Sequence, residues 1–389
     1  MLRSAGHAGS FTRVPNTVML LGALAFVGFL LVAAVLLGIN SRPGRHARIR
    51  PHRDSFRQAT VEPPRKKRAA VIINPTKFDD LATVRATLAA VATGLDWDAP
   101  LIVETTKEDP GAGQSSAAVA EGVDLVCSLG GDGTVRNVAS ALAGTSTPLG
   151  LLPGGTGNLL ARNLELPVSD LAEAFRVACT GRNRAIDVAY AVLAQPDSFA
   201  PANASKADAS TSDSSTSESP SVEHAFLVMA GVGLDATIMS ETTEEAKAKI
   251  GWPAYAATGF RNFLGPRLKA HVSIDGGPAT SVLAQTVLVG NCGRITGGIN
   301  LMPDAEPDDG VLDCVILAPK GFPGWVNVTA RVLTQHRGTR TERLQRHTAT
   351  TVTITTDKPQ AVQLDGDVIG ETREIRVRIA PRSLLVRST

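Results

Sequence analysis

The chain has 389 residues, 43% hydrophobic and 20% charged, with a formal charge of +2 at pH 7. That length allows two or three domains with packed cores. Near-balanced charge and 4% aromatics offer neither the basic face nor the stacking platforms of a nucleic-acid binder, so no nucleic acid is expected as a partner. Cys127, Cys179, Cys292 and Cys314 form no CxxC pair and read as buried, reduced thiols rather than a zinc or redox site.

Residues 18–39 contain no charged side chain and reach the roughly 20 residues a helix needs to cross hydrocarbon. No small-residue cleavage pattern follows, which favours a retained single-pass anchor over a signal peptide. Arg42, Arg45, Arg48, Arg50, Arg53 and Arg57 crowd its C-terminal flank, against Arg3 and Arg13 on the other side. The positive-inside rule then places the rest of the chain in the cytoplasm, at the cell membrane, with these arginines against anionic headgroups. Residues 1–65 thus read as anchor plus an Arg/Pro-rich linker.

From residue 66 to 183 short apolar runs alternate with helical periods. Strands are expected at 69–75, 101–105, 124–131 and 148–156, and helices at 79–95, 114–122 and 134–143, which argues an α/β domain with a parallel sheet. Residues 184–389 change to many short strands with turn signals, a mainly β, sandwich- or barrel-like domain. Its expected strands are 185–193, 224–233, 269–275, 282–291, 310–318, 348–356, 360–367 and 374–380. Helical patches near 240–264 and 322–336 interrupt it, and 195–223, rich in Ser, Ala, Thr and Asp, reads as a disordered insertion. The basic stretch Arg331, Arg337, Arg340, Arg343 and Arg346 suits either anionic lipid or a solvated helix end.

The sharpest chemical signal is Gly130-Gly131-Asp132-Gly133-Thr134, closing a strand and opening a helix. Glycines let the backbone approach a phosphate, and a helix N-terminus supplies N–H groups and a positive dipole end. Thr134 adds a hydroxyl, and Asp132 a carboxylate able to hold Mg²⁺. Gly154-Gly155-Thr156-Gly157-Asn158 repeats the design after the next strand, and Asn74-Pro75-Thr76 forms a third polar turn. Three such loops at the ends of successive strands would converge on one crevice. There is no GxxxxGK[ST] and no GxGxxG with a following acid, so neither a P-loop nor a dinucleotide fold is indicated.

These motifs, with IINPT and PGGTGN, resemble the diacylglycerol kinase catalytic superfamily across residues 69–381. That family includes bacterial lipid kinases and sphingosine kinases and shares GGDGT with NAD kinases. The resemblance implies an NAD kinase-like α/β domain before the β domain, and an ATP- and Mg²⁺-dependent kinase acting on a membrane lipid hydroxyl. Diacylglycerol comes first, ahead of sphingoid bases, ceramide and phosphatidylglycerol. It implies nucleotide contacts at Asn74, Pro75, Thr76, Thr105, Gly130, Gly131, Asp132, Gly133, Thr134, Val135, Arg136, Gly155, Thr156 and Asn158.

In Pro303-Asp304-Ala305-Glu306-Pro307-Asp308-Asp309-Gly310 three later acids flank a glycine turn, which suits a solvated hairpin or a metal loop equally. The resemblance implies a Mg²⁺ loop in which Asp309 gives its side chain, and Glu306 and Val311 their carbonyls. Leu364-Asp365-Gly366-Asp367 suits a type I′ turn by its Asp-Gly pair. The resemblance makes Asp365 the proton acceptor assisted by Asp367, which stands where the family has Glu. Leu159 likewise stands where many relatives have Asp. Two rivals remain: an NAD kinase, against which no Asn-Glu pair occurs in the chain, and a catalytically silent nucleotide-binding membrane adaptor. The sequence leaves a homodimer open.

Overall fold

In the computed structural model, residues 65–194, 222–233, 267–295, 300–319 and 344–389 are described. The expected anchor at 18–39, its linker as far as residue 64, most of the expected 195–223 insertion, the expected helical patches at 240–264 and 322–336, and Arg331, Arg337, Arg340 and Arg343 lie outside them. Among the described residues no helix is long and apolar enough to cross a membrane.

The first half alternates as expected. Strands β1 (Ala69–Ile73), β2 (Leu101–Glu104), β3 (Leu125–Gly130) and β4 (Leu149–Pro153) are interleaved with helices α1 (Leu81–Gly94), α2 (Ala112–Ala120) and α3 (Asp132–Leu142); α4 (Leu159–Asn163) and α5 (Leu171–Thr180) follow. The strands lie parallel in the order β4-β3-β1-β2. Asp80 and Asp170 start α1 and α5 by accepting the backbone N–H of Thr83 and Glu173. Strand periodicity divides β1 between two cores. Ala69, Val71 and Ile73 pack with Leu88 and Phe175 on one face, and Ala70 and Ile72 with Val138 and Leu142 on the other. A strand covered on both faces reads as the unbroken apolar run seen in the sequence.

The second half is nearly all antiparallel: β5 (Arg182–Leu193), β6 (Glu223–Phe226), β7 (Met229–Val232), β8 (Leu268–Ile274), β9 (Thr280–Ala284), β10 (Thr286–Gly290), β11 (Leu312–Leu317), β12 (Leu344–Ala349), β13 (Thr351–Leu364) and β14 (Asp367–Ser388). Two expected strands are each broken in two. The 224–233 run parts at Leu227 and Val228, whose N–H groups turn to a side chain, and the 282–291 run parts at Gln285. Conversely, the 348–356 and 360–367 runs join largely within β13, with a register shift between Thr355 and Gln360. The 374–380 run grows into the 22-residue β14.

β14 pairs with β13 and β5, and at Val386 lies parallel to Leu149 of β4. The described strands therefore form one continuous sheet, and the chain position near 183 is not a break in it.

Candidate active site

The two glycine loops sit back to back at the C-terminal ends of β3 and β4. A Cβ on Gly154 would lie 2.6 Å from the backbone N of Gly130, and one on Gly155 2.7 Å from the Cα of Gly131. Backbones this close admit only glycine. Asp132, in the first turn of α3, ties the loops together: its Oδ1 accepts the N–H of Leu159 at 2.6 Å. Leu159 buries its side chain in the core, so this position serves Asp132 through its backbone. Burial pushes the Asp132 carboxyl up to about 6; the Leu159 N–H opposes this, while nearby Asp365 and Asp367 add to it.

Asn158 takes a left-handed conformation (φ 46°) and braces its loop by accepting from Gly155 N and donating to Gly155 O. Thr156 is exposed, whereas Thr134 is buried with its hydroxyl folded over Gly130. Val135 is also buried. Asn74 closes the third turn by accepting from the backbone N–H and hydroxyl of Thr76, with Pro75 opening a short 3₁₀ turn. Thr105 reaches the same strand end through its N–H to Ile73 O, 2.8 Å.

The Leu364–Asp367 turn comes from the opposite half of the chain. Leu364 pairs with Asp367 across it, and Asp365 and Gly366 both have positive φ (49° and 95°), as a type I′ turn demands. Asp365 lies within this turn and Asp367 closes it, so one hairpin end carries both carboxylates.

Asp365 is only 4% exposed. Its Oδ2 accepts the N–H of Leu227 and its Oδ1 those of Val228 and Met229, all at 2.9–3.0 Å. Burial pushes this carboxyl up, against the pull of the three N–H groups and of Arg136. Asp367 is half-exposed and pairs with Arg136 at 2.9 Å. A Cβ on Gly133 would lie 2.7 Å from Asp367 Oδ2, so this carboxylate sits over the start of α3. The structure thus brings Asp132, Gly133, Arg136, Asp365 and Asp367 together.

The 303–313 loop is held from outside. Arg184 grips Asp308 with two hydrogen bonds of 2.9 and 3.0 Å, and buried Asp187 accepts the N–H of Gly310 and of Arg382. Asp309 is exposed and accepts the N–H of Val311, and Glu306 is exposed. Burial, with Asp309 and Asp304 nearby, pushes Asp313 up to about 6. No group of three His, Cys, Asp or Glu side chains among the described residues could hold a metal; the expected set relies on one carboxylate and two carbonyls instead.

Sequence reasoning passed over Asp187, Arg184 and Asn291, and gave Asp308 no role apart from its acidic neighbours. Asp187 had a signal, a lone acid inside an apolar strand. Asn291, fully buried and donating to Asp187 O and Leu227 O, had none. Arg346 is turned to Leu301 O. All four cysteines are buried and unbridged, as expected.

Comparison with known proteins agrees with this arrangement. The pattern of the diacylglycerol kinase catalytic domain matches residues 68–191, and that of the YegS C-terminal NAD kinase beta sandwich-like domain matches 227–388. A Mycobacterium tuberculosis diacylglycerol kinase is 29% identical over 205 residues, 51% of this chain and 56% of that protein. A "probable lipid kinase YegS-like" of Yersinia enterocolitica is 28% identical over 276 residues, 69% and 80% of the two chains. An uncharacterized Synechocystis protein is 26% identical over 270 residues, 68% of this chain and 54% of that one. The chain therefore spans about half the length of two of these relatives. The crystal structure of a diacylglycerol kinase from Bacillus anthracis shares the fold, with a TM-score of 0.57 at 20% identity over 84% of this chain and 98% of that one. With both halves matched and the glycine loops facing the carboxylate turn, the chain carries a diacylglycerol kinase catalytic domain at residues 68–191 and a YegS-type NAD kinase beta sandwich-like domain at 227–388.

Proposed function

We propose that this chain transfers the γ-phosphoryl group of ATP to the hydroxyl of a membrane lipid, with diacylglycerol the first-choice acceptor and phosphatidic acid its product. The observation that carries the reading is the carboxylate turn at 364–367 set over Gly133, at the start of the helix that the phosphate loop opens. The triphosphate lies along residues 130–136 and 154–158, where glycine backbones and the α3 dipole favour anionic charge. The lipid hydroxyl forms the new O–P bond as the bond to the ADP oxygen breaks. Its proton passes late to Asp365, because the phosphoryl transition state is loose. Asp365 keeps acceptor capacity at Oδ2, which takes a single N–H, and Asp367 assists.

Residues 132, 306, 309 and 311 suit Mg²⁺ in chemistry. Burial and neighbouring acids raise the carboxyls of Asp132 and Asp309, a cost that a divalent cation there would offset. Mg²⁺ held by Asp132 would neutralise phosphate charge, and Mg²⁺ held by Asp309 with the Glu306 and Val311 carbonyls would fix the shape of its loop. The anchor at 18–39 keeps the site in the plane of its substrate and raises the effective concentration.

The test is transfer from labelled ATP to diacylglycerol, sphingosine, ceramide and phosphatidylglycerol in mixed micelles. Labelled phosphatidic acid is expected. Label on none of the four, with ATP still bound, would instead make the chain a silent nucleotide-binding adaptor.

A further inference from the structure

Arg136 lies one helical turn beyond Asp132 on α3, and its side chain is 15% exposed. One guanidinium nitrogen, Nη1, donates to the Leu364 carbonyl at 2.6 Å, and the other, Nη2, pairs with Asp367 Oδ2 at 2.9 Å. Leu364 and Asp367 are the two residues that face each other across the turn. A single planar group therefore grips both ends of a two-residue turn that comes from more than 220 positions further along the chain. A guanidinium fits this task because its donors form a rigid fork, which an ammonium lacks.

The charge balance asks for the same residue. Asp132, Asp365 and Asp367 converge here, and Arg136 pairs with Asp367 while its charge favours the carboxylate of buried Asp365. Cys292 also faces Asp365, its thiol pushed up by burial and by that carboxylate, and His224, facing Arg136, is pushed down by burial and by that charge. Gly133 completes the fit, since any Cβ there would press on the Asp367 carboxylate.

We propose that Arg136 is a positioning residue for phosphoryl transfer, one that clamps the carboxylate turn onto the phosphate loop so that the two halves of the crevice move as one body. Its side chain serves the turn rather than the nucleotide. The proposal rests on the kinase reading for its kinetic consequence but not for its mechanical one. Misplacing a reacting group by about 1 Å costs on the order of 100-fold in rate, so loosening the clamp acts on turnover.

The experiment uses the full-length protein, with Arg136→Gln, Arg136→Lys, Asp367→Asn and the double variant Arg136→Gln/Asp367→Asn. With dioleoylglycerol micelles and MgATP, Arg136→Gln should lower kcat about 10- to 100-fold and leave KM for ATP nearly unchanged. Arg136→Lys should recover part of the loss. The double variant should be no worse than the poorer single one, because both break one contact. A raised KM for ATP at normal kcat would make Arg136 a phosphate ligand and overturn the proposal, as would losses that multiply in the double variant.

Hydrogen exchange measured by mass spectrometry separates this from the kinase reading. ATP should slow exchange in residues 130–136 and also in 360–370, and Arg136→Gln should abolish only the second effect. If ATP protects neither segment, the nucleotide reading falls. The clamp is then judged on basal exchange of 360–370, faster in Arg136→Gln if it exists and unchanged if it does not.

Discussion

The glycine loops at 130–134 and 154–158 present main chain from the ends of parallel strands, whereas the 364–367 turn presents carboxylates from an antiparallel hairpin. The loops need little support, because the strands beneath them are buried on both faces and α3 supplies the favourable potential. The turn needs a great deal. A buried carboxylate such as Asp365 persists only if its charge is met, and here three N–H groups and a guanidinium meet it. Each charge-assisted bond of this kind is worth about 1.5–3 kcal/mol. A site for anions can thus be made from backbone alone, while a site for a proton needs the backbone of a neighbouring strand bent toward it.

The largest effect is expected on the carboxylate side. Asp365→Asn should reduce turnover by about 10²–10⁴, the usual span for a general base. It should also cost stability, since a carboxamide cannot accept at both positions and one buried N–H then faces a donor, at about 1–3 kcal/mol. Calorimetry would record that as a lowered Tm. Normal turnover with a lowered Tm would leave Asp365 an anchor and move the base to Asp367.

Gly133→Ala strikes where the two sides meet. The added methyl displaces the Asp367 carboxylate, so kcat should fall about tenfold while Tm barely moves, Asp367 being half-exposed. Unaltered kinetics would sever the turn from the loop in function.

Asp132→Asn tests the loop side through pH. The fold raises this carboxyl from 3.8 to about 6, so the folded state holds the proton more tightly. The stability this confers is present below about pH 4, is lost as pH rises through 6, and is absent at pH 8. Asn keeps the acceptor for Leu159 N–H and cannot ionise. The variant should therefore be more stable than wild type at pH 8, by up to about 3 kcal/mol, and level with it near pH 4, with transfer activity gone. A Tm difference that ignores pH would count against this account.

The smallest effect is expected far from both sides. Val192 and Glu223 are register partners on β5 and β6, so the segment between them leaves and re-enters the sheet at adjacent points. Deleting 198–221 should leave Tm and turnover within error, because loop length enters stability only logarithmically. A fall of several degrees would show that the segment packs.

The loop side was readable in advance because its causes are local: glycines, a strand end and a helix start lie within five residues of one another. The turn was readable as a turn, from Asp365-Gly366, but its surroundings were not. The break between β6 and β7 is caused by a carboxylate 138 positions away, and no window of sequence contains both. Asp187 in an apolar strand was a visible anomaly whose partners, Gly310 and Arg382, could be named only once the chain was folded. Leu159, read as a departure in side chain, matters for its N–H.

The pairing of Val386 with Leu149 sets an order of events during synthesis. Leu384 and Val386 belong to the same core as Ala70, Ile72 and Val138. On the ribosome, the parallel sheet can zip β1 to β4 early, yet its flank stays open until residues 384–386 have emerged. A nascent or truncated chain ending before residue 384 exposes that flank as an unpaired edge, a template for aggregation.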